Sequence, residues 1–314
     1  MKLLISRLLP DAVMDAARAE FDVTLRDTSD PMSEAEVTAA LGEYDLILPT
    51  LGDRFTGEAI KAATPRTKLL ANFGVGYNHI DVAAATEQGI AVTNTPGAVT
   101  DATADIAMTL MLMTARRAGE GERMVRAGAW TGWQPTQMLG LHLTGKTVGI
   151  IGMGRIGQAI ADRCRLGFGC KIVFANRSEK SVEGAVQLAS MEAVAEAADI
   201  VVAATPGGPA THHLIGASVF DAMQGHAIFV NISRGDVVDE AALIAALEQG
   251  QIGGAGLDVY EFEPQVPQAL IALENVTLLP HLGTNTEEVR TDMGMMALDN
   301  LRAFAKGAAL PNSV

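Results

Sequence analysis

The sequence predicts an α/β protein with doubly wound parallel sheets, and three observations support this. Short apolar segments alternate with helical patterns along the whole chain, which is typical of parallel strands joined by crossover helices. Hydrophobic residues make up 48% of the chain and aromatic residues only 4%, as expected for sheets covered by helices on both faces. A glycine-rich turn joins one strand directly to a helix. At about 100–200 residues per domain, the 314 residues indicate two domains.

The first hundred residues are predicted to hold five strands and four helices in alternation. We expect the strands at residues 2–6, 22–26, 44–50, 68–73 and 90–94. We expect the helices at residues 11–20, 33–41, 57–63 and 79–88. Ser33 belongs to a residue type that caps helices, and His79 is placed at the start of the fourth helix. This part of the chain therefore predicts one parallel sheet.

The second part of the chain repeats the alternation after a long helical pattern. One helix is predicted from Asp101 to about Ala127, and the loop after it holds both tryptophans, Trp130 and Trp133. We then expect strands at residues 147–151, 171–175, 200–204, 227–232, 255–259 and 276–279, and a last helix at 286–306. Because no flexible linker is visible, the last helix could return to the first domain.

Composition and charge exclude several classes of protein. The formal net charge is −14, whereas a nucleic-acid binder needs a basic surface, and an anionic substrate would need locally placed positive charge. The longest apolar helical stretch, Ile106–Ala115, is too short to cross a bilayer, and the N-terminus lacks a signal-peptide pattern. We therefore expect a cytoplasmic protein without a membrane partner. Cys164 and Cys170 lack zinc-like spacing and are expected to be buried, reduced thiols, with no metal site.

A G-x-G-x-x-G pattern lies between a buried strand and a helix. Gly152 permits a tight turn, Gly154 lets a pyrophosphate approach the backbone, and Gly157 lets helix and strand pack closely. The free N–H groups at the start of the helix, at Arg155 and Ile156, suit the phosphates. An isolated match would be a weak signal, but this position between strand and helix predicts a dinucleotide-binding turn.

The end of the next strand bears on which dinucleotide binds. Proteins that use NAD usually place an acidic residue there to hold the ribose 2′-hydroxyl. Here the position holds Asn176, followed by Arg177 and Ser178, with Lys180 close by. A carboxylate would repel a 2′-phosphate, whereas Arg177 can bind it through charge-assisted hydrogen bonds. We expect NADP(H) to be preferred and NAD(H) to be the second cofactor, although Arg177 could also be an ordinary surface arginine.

Three candidate catalytic residues, Arg234, Glu263 and His281, each follow a predicted strand. Because ligands bind beyond the carboxyl ends of the strands in open α/β sheets, we expect them to lie together. An arginine can hold a carboxylate and polarise the neighbouring carbonyl, and a histidine can deliver a proton as hydride arrives from a nicotinamide. A carboxylate bonded to the histidine would stabilise the imidazolium. Each residue alone could be structural, but the set predicts reduction of a 2-keto acid.

These motifs together resemble the D-isomer-specific 2-hydroxyacid dehydrogenases, and the resemblance covers residues 72–311. It rests on the glycine turn and on the segments Asn72–Asp81, Asn231–Gly235, Gly256–Pro264 and Leu279–His281. The resemblance implies a Rossmann cofactor domain inserted into a flavodoxin-like substrate domain. We expect the cofactor domain at residues 99–285 and the substrate domain at residues 1–98 and 286–314.

The resemblance also implies roles for individual residues. Arg234, Glu263 and His281 would be the catalytic set, and Arg234 and His281 would contact both substrate and cofactor. The backbone amides of Val75 and Gly76 would hold the substrate carboxylate. Leu51 and Trp133 would also line the substrate pocket. Besides the glycine turn and residues 176–178, the cofactor would contact Thr103, Thr205, Pro206, Ile232, Ser233, Asp258 and Gly283, with Asp258 facing the nicotinamide amide.

Two features of the sequence resemble one branch of this family, the NADP(H)-using glyoxylate/hydroxypyruvate reductases. These are the missing acidic residue at Asn176 and the segment Trp130–Pro135. The branch implies a homodimer in which Trp133 reaches the partner's active site, while an intrachain core contact of Trp133 is the other interpretation. A larger keto acid such as hydroxyphenylpyruvate stays open as the substrate, because the pocket shape near Leu51 cannot be predicted. A non-catalytic NAD(P)-sensing interaction protein is the alternative from another class.

Overall fold

A computed structural model describes all 314 residues of the chain. The chain divides into two compact units. Residues Met1–Val99 and Thr284–Val314 form the first unit, and the continuous segment Thr100–Gly283 forms the second. None of the helices combines the length and apolar composition needed to span a membrane.

Each unit is built from short strands and helices in alternation. The strands are β1 (Lys2–Ile5), β2 (Asp22–Leu25), β3 (Leu46–Leu48), β4 (Leu69–Ala71), β5 (Ala91–Thr93), β6 (Thr147–Ile151), β7 (Lys171–Ala175), β8 (Ala185–Gln187), β9 (Ile200–Ala203), β10 (Ile228–Asn231), β11 (Gly254–Leu257) and β12 (Val276–Leu278). The α-helices are α1 (Asp11–Glu20), α2 (Glu34–Glu43), α3 (Gly57–Ala62), α4 (Val82–Glu87), α5 (Thr100–Ala115), α6 (Ala118–Arg126), α7 (Arg155–Asp162), α8 (Met191–Ala197), α9 (Ala217–Ala222), α10 (Glu240–Glu248), α11 (Gln268–Ala272) and α12 (Glu287–Ala305).

The first unit contains a five-stranded, all-parallel sheet in the order β2-β1-β3-β4-β5. This is the strand order of flavodoxin-like folds. The last helix, α12, packs against α1 and β4 and buries Leu298 and Leu301 in the core of this unit. The C-terminal segment therefore completes the hydrophobic core of the unit whose sheet lies within the first ninety-nine residues.

The second unit contains a seven-stranded, all-parallel sheet in the order β12-β11-β10-β9-β6-β7-β8. The chain builds outward from β6 to β8, then crosses back so that β9 pairs with the other side of β6. Such a reversal is the switch point at which doubly wound folds bind their ligands. The predicted fold class, a Rossmann sheet inserted into a flavodoxin-like one, is confirmed.

The predicted single helix over residues 101–127 is wrong, because it is two helices. The chain breaks at Arg117, whose φ of 53° lies in the left-handed region. The break has a cause elsewhere in the chain. The carbonyl of Ala115 accepts a hydrogen bond from the N–H of Leu141 at 2.7 Å. A Cβ on Gly140 would lie only 2.3 Å from the same carbonyl oxygen. The segment after the tryptophan loop thus occupies the acceptor that a continuing helix would need.

One smaller expectation about local structure was also wrong, and one element was missed. His79 does not begin α4, because Asp81 caps this helix by accepting a hydrogen bond from the N–H of Ala84 at 2.9 Å. The edge strand β8 was not predicted, since three residues with an exposed Val186 give no apolar run. Cys164 and Cys170 are buried and form no disulfide, as predicted.

Candidate active site

The three candidate catalytic residues lie at one edge of the second sheet. Arg234 follows β10, Glu263 follows β11 and His281 follows β12, and these three strands are neighbours in the sheet. Because all the strands are parallel, their carboxyl ends share one edge. The structure therefore brings together the set that the sequence predicted.

His281 and Glu263 form a hydrogen-bonded pair. Nδ1 of His281 lies 2.9 Å from Oε2 of Glu263, and the other carboxylate oxygen accepts a hydrogen bond from the N–H of Tyr260 at 3.1 Å. Burial would raise the pKa of Glu263. The hydrogen bond from His281, its charge, the Tyr260 amide and the Arg234 charge together hold this pKa below its usual value. Glu263 is therefore a carboxylate that keeps a proton on Nδ1 and leaves Nε2 as the exchanging position.

The backbone around His281 is fixed to the end of β11. The N–H of His281 donates to the carbonyl of Asp258 at 2.9 Å, and the hydroxyl of Tyr260 donates to the carbonyl of Leu279 at 2.9 Å. His281 itself has a φ of 55°, in the left-handed region. The side chains of His281 and Glu263 keep 29% and 32% of their surface exposed, so the pair is accessible from outside.

Arg234 is held beside this pair by the turn after β10. Its Nη1 donates to the carbonyl of Ser233 at 2.7 Å, and its half-buried guanidinium lies close enough to Glu263 for their charges to interact. A Cβ on the next residue, Gly235, would lie 1.8 Å from the carbonyl carbon of Tyr260. Only glycine therefore allows the two loops to approach this closely.

Asn231 shapes the same turn, a role that sequence reasoning missed. Its Oδ1 accepts hydrogen bonds from the N–H and the hydroxyl of Ser233, at 3.0 and 2.7 Å. Its Nδ2 donates to the carbonyl of Arg234 at 3.1 Å. Because Asn231 is buried and uses both ends of its amide, it fixes the backbone that carries the arginine.

Asp258 is engaged by the loop that follows His281. Its buried carboxylate accepts hydrogen bonds from the amides of Leu282 and Gly283, at 2.6 and 2.9 Å. Burial raises the pKa of Asp258, although these amides and the nearby histidine act in the opposite direction. The hydroxyl of Thr103 donates to the carbonyl of Gly283 at 3.2 Å. Asp258 thus orders the loop, and its contact with a nicotinamide stays a prediction.

The glycine turn has the close contacts that its pattern predicts. Gly152 has a φ of 101°, and a Cβ there would lie 2.7 Å from the carbonyl oxygen of Ala204. A Cβ on Gly157 would lie 2.3 Å from the carbonyl oxygen of Gly152. By contrast, nothing lies within 4 Å of the position of a Cβ on Gly154. The turn is therefore tightly packed inside and open at the position predicted to face a pyrophosphate.

Several donors point to an anionic group at this turn. Gly154 gives α7 no side-chain cap, so the N–H groups of the first turn, including those of Arg155 and Ile156, lack helical partners. The hydroxyl oxygen of Thr205 is buried without a hydrogen-bond partner. Pro206 follows Thr205 after β9, and Ile232 and Ser233 follow β10, so the predicted cofactor residues border the switch point. The donor set fits a dinucleotide.

The loop after β7 carries the predicted 2′-phosphate residues. The amide oxygen of Asn176 accepts from the N–H of Met153 at 3.3 Å, and its nitrogen donates to the carbonyl of Ser178 at 2.9 Å. Arg177 is exposed and forms no hydrogen bond or ion pair within the protein. The ammonium of Lys180 donates to the carbonyl of Met153 at 2.8 Å. The loop is thus tied to the glycine turn while Arg177 is free.

The first unit holds the other predicted substrate residues. Nδ2 of Asn72 donates to the carbonyl of Gly76 at 3.0 Å, and Nδ2 of Asn94 donates to that of Val75 at 2.9 Å. The amides of Val75 and Gly76 donate to no protein acceptor. Leu51, in the loop after β3, is 41% exposed. The two asparagines, whose contribution sequence reasoning missed, direct the carbonyls inward and leave the two N–H groups free.

Trp133 does not pack into a core. It is 81% exposed, so the alternative of an intrachain core contact is wrong. Other large apolar side chains in α6 and the following loop are exposed as well, namely Val125, Trp130 and Leu139. This segment therefore exposes four large apolar side chains.

Comparisons with known proteins agree with the geometry of the site. The family model for the NAD-binding domain of D-isomer-specific 2-hydroxyacid dehydrogenases matches residues 108–283. A glyoxylate reductase of Thermococcus litoralis is 40% identical, covering 100% of this chain and 96% of that protein. A solved protein of Thermus thermophilus has a TM-score of 0.93 and 39% identity, covering 100% of both chains. An NADPH-dependent glyoxylate/hydroxypyruvate reductase of Sinorhizobium meliloti, solved with NADP and malonate, has a TM-score of 0.89 and 35% identity, covering 100% of this chain and 96% of that one.

Proposed function

The chain belongs to the D-isomer-specific 2-hydroxyacid dehydrogenase family, in its glyoxylate reductase branch, and from this premise we propose that it reduces glyoxylate and hydroxypyruvate with NADPH. The observation that carries the proposal is the His281–Glu263 hydrogen bond, with Arg234 beside it, at the carboxyl edge of the second sheet. Glyoxylate is in the name of the T. litoralis relative, and NADPH and hydroxypyruvate are in that of the S. meliloti relative. The cytoplasmic location stays a prediction.

His281 is the proposed proton donor. A bound reduced nicotinamide supplies the hydride to the carbonyl carbon of the keto acid. Nε2 of His281 gives its proton to the carbonyl oxygen, so one C–H bond and one O–H bond form as the carbonyl π bond breaks. Glu263 stabilises the imidazolium before this transfer and fixes the ring through Nδ1. In the oxidative direction, the same nitrogen takes the proton from the hydroxyl.

Arg234 is proposed to polarise the substrate. One nitrogen is bound to the carbonyl of Ser233, which leaves the outer donors of the guanidinium for the keto acid. Burial lowers the pKa of Arg234, and Glu263 and Asp236 oppose this effect. The group stays cationic at working pH, since an arginine retains its proton in proteins. It can therefore stabilise the negative charge that develops on the carbonyl oxygen.

The second unit is the proposed cofactor domain. The glycine turn of Gly152, Gly154 and Gly157 and the first N–H groups of α7 would hold the pyrophosphate. The unpartnered hydroxyl of Thr205 would gain a hydrogen bond from the bound dinucleotide. The remaining predicted contacts are Thr103, Pro206, Ile232, Ser233, Asp258 and Gly283.

The preference for NADPH is proposed from the loop after β7. Asn176 both accepts from Met153 and donates to Ser178, which a carboxylate at this position could not do. The free guanidinium of Arg177 and the hydroxyl of Ser178 would bind the 2′-phosphate, and the nearby ammonium of Lys180 adds positive charge. NADH, which lacks this phosphate, would bind with fewer contacts.

The first unit is the proposed substrate domain. The free amides of Val75 and Gly76 form a small anion site that would take the carboxylate. A second candidate substrate is a keto acid with an apolar side chain, such as hydroxyphenylpyruvate. The exposed side chain of Leu51, in the loop after β3, and that of Tyr77, in the loop after β4, favour it, because they offer apolar surface beyond the carboxyl ends of neighbouring strands.

A homodimer is proposed from the four large apolar side chains that this segment exposes, Val125, Trp130, Trp133 and Leu139. Large exposed aromatic side chains grouped in one segment are typical of subunit interfaces. In the proposed dimer Trp133 would reach the active site of the partner and restrict it to short substrates.

The proposal is tested by one set of assays. Purified protein is mixed with a panel of 2-keto acids and either NADPH or NADH, and the loss of reduced-nicotinamide absorbance is followed. We expect the highest kcat/KM for glyoxylate or hydroxypyruvate with NADPH. Simple aldehydes without an adjacent carboxylate should react poorly. A higher kcat/KM for hydroxyphenylpyruvate would favour the second candidate, and equal use of both cofactors would contradict the NADPH assignment.

A further inference from the structure

We propose that Gln187 is a positioning residue for the 2′-phosphate of NADPH. Its side-chain amide holds residues 176–180, which we name the phosphate loop, in the shape that receives this group. The inference rests on the NADPH preference proposed above and extends it to a residue outside the phosphate loop. Gln187 is the last residue of the edge strand β8.

One side chain makes three hydrogen bonds to the phosphate loop. Nε2 of Gln187 donates to the carbonyls of Asn176 and Ser178, at 3.3 and 3.2 Å. Its Oε1 accepts from the N–H of Lys180 at 2.8 Å. Two carbonyl acceptors at the nitrogen and an N–H donor at the oxygen allow only one orientation of the amide. No other residue type of this size offers a donor and an acceptor in this arrangement.

The other side of the phosphate loop is tied to the glycine turn. The ammonium of Lys180 donates to the carbonyl of Met153, and Oδ1 of Asn176 accepts from the N–H of the same residue. The loop is therefore held between β8 and the dinucleotide turn. Two carbonyl oxygens of the loop are bound to Gln187. These partially negative oxygens therefore face an internal donor and do not repel an incoming phosphate.

The two residues that would bind the phosphate lie in the part of the loop that these contacts hold. Arg177 stands between the two carbonyls that Gln187 binds, and its guanidinium has no partner in the protein. The hydroxyl oxygen of Ser178 accepts from Nδ2 of Asn176 at 3.1 Å, which leaves its hydrogen free to donate. A loop already held in shape loses less conformational freedom on binding. NADH lacks the 2′-phosphate, so its binding gains little from a loop that is already held in shape.

The experiment replaces Gln187 with leucine and measures binding directly by calorimetry. Gln187→Leu removes all three bonds to the loop and should raise the Kd of NADPH about tenfold, as if one to two hydrogen bonds to the 2′-phosphate were lost, and the Kd of NADH less than about twofold. Adenosine 2′,5′-bisphosphate and adenosine 5′-monophosphate, which differ in the 2′-phosphate, should repeat this contrast. Gln268→Leu is the matched control, because Gln268 is an exposed glutamine of the same unit whose side chain forms no hydrogen bond in the protein.

A second variant and a double mutant guard against a loss of folding. Gln187→Glu keeps the acceptor for Lys180 but sets a carboxylate oxygen against two carbonyls, so it should weaken NADPH binding more than leucine does. When Arg177 is already replaced by alanine, adding Gln187→Leu should change the Kd of NADPH only slightly, because the group that binds the phosphate is gone.

The outcomes separate the two proposals. Equal weakening of NADPH and NADH by Gln187→Leu, no change with either, or full additivity with Arg177→Ala would overturn the role of Gln187. Equal affinity of the unmodified protein for NADPH and NADH would instead overturn the proposed cofactor preference on which this inference rests.

Discussion

Replacing Glu263 with glutamine separates the charge of this residue from its ability to orient His281. Glutamine can still accept the hydrogen bond from Nδ1, which is 2.9 Å long in the structure. A hydrogen bond with a charged partner contributes about 1.5–3 kcal/mol and a neutral one about 0.5–1.5 kcal/mol. The lost difference is about 1–1.5 kcal/mol, or roughly five- to tenfold in rate. Because reduction needs the imidazolium that this carboxylate stabilises, kcat for glyoxylate reduction should fall by about that factor in Glu263→Gln.

The pKa of Glu263 itself sets the pH range over which this difference is expected. The pKa of Glu263 is held below its usual value, so the carboxylate and its stabilising bond persist as pH falls through that usual value. They are lost only below the lowered pKa, and this loss should be absent in the glutamine variant. The assay is kcat for glyoxylate reduction from acid to alkaline pH at saturating NADPH.

The control for this experiment is Glu261→Gln. Glu261 belongs to the same loop and pairs with His213 at 2.8 Å, so the control removes the same charge from a neighbouring histidine pair. It should leave kcat for reduction within about twofold of the unmodified protein. The reasoning is refuted if Glu263→Gln keeps the kcat of the unmodified protein, or if both variants lower it equally.

Four other changes give further tests. Arg234→Lys should lower kcat/KM for glyoxylate strongly in steady-state assays, because a point charge cannot replace the planar fork of donors. Asn176→Asp should reverse the cofactor preference in kcat/KM, since a carboxylate repels the 2′-phosphate and no longer donates to Ser178. Gly235→Ala should cost on the order of 1–3 kcal/mol in denaturant unfolding, because its Cβ would overlap the backbone of Tyr260. Trp133→Ala should raise KM for glyoxylate and relax selectivity towards larger keto acids, and an unchanged substrate profile would contradict its assignment to the active site.

The features that sequence reasoning predicted are those with a local physical signature. A buried parallel strand is a run of aliphatic residues, so β6 and β7 were predicted with the bounds that the structure shows. The carboxyl ends of parallel strands fall on one edge of the sheet. This rule was enough to predict from the sequence that Arg234, Glu263 and His281 lie together. Gly152 and Gly157 were also predictable, because their close contacts lie within one turn or between adjacent elements.

Other features were missed because they depend on a contact with another element or loop. Nothing near Arg117 shows that the carbonyl of Ala115 will be taken by Leu141, and the helix is broken for that reason. The edge strand β8 is too short to leave an apolar pattern, yet it carries Gln187, which contacts residues seven to eleven positions earlier. From the sequence alone, such a polar residue is predicted to be an ordinary exposed side chain. Its role becomes visible only once the loop that it binds is known.

Side-chain amides offer an acidic chain a way to form the anion sites that we propose. With a net charge of −14, a carboxylate is the commoner polar choice, but it would bind the N–H groups of a loop and repel an incoming anion. Asn72 and Asn94 instead bind the carbonyls around Val75 and Gly76, so the N–H groups stay free. Gln187 likewise binds two carbonyls of the phosphate loop, those of Asn176 and Ser178.

Asp258 shows the contrast. Its carboxylate takes up the amides of Leu282 and Gly283, and no anion is expected to bind at those two groups. At the two loops that we propose to receive a carboxylate or a phosphate, side-chain amides bind the loop carbonyls. At the loop that holds His281 in place, a carboxylate binds the loop amides instead. On this proposal, an amide at a loop contact leaves room for an anion, whereas a carboxylate occupies the N–H groups that an anion would bind.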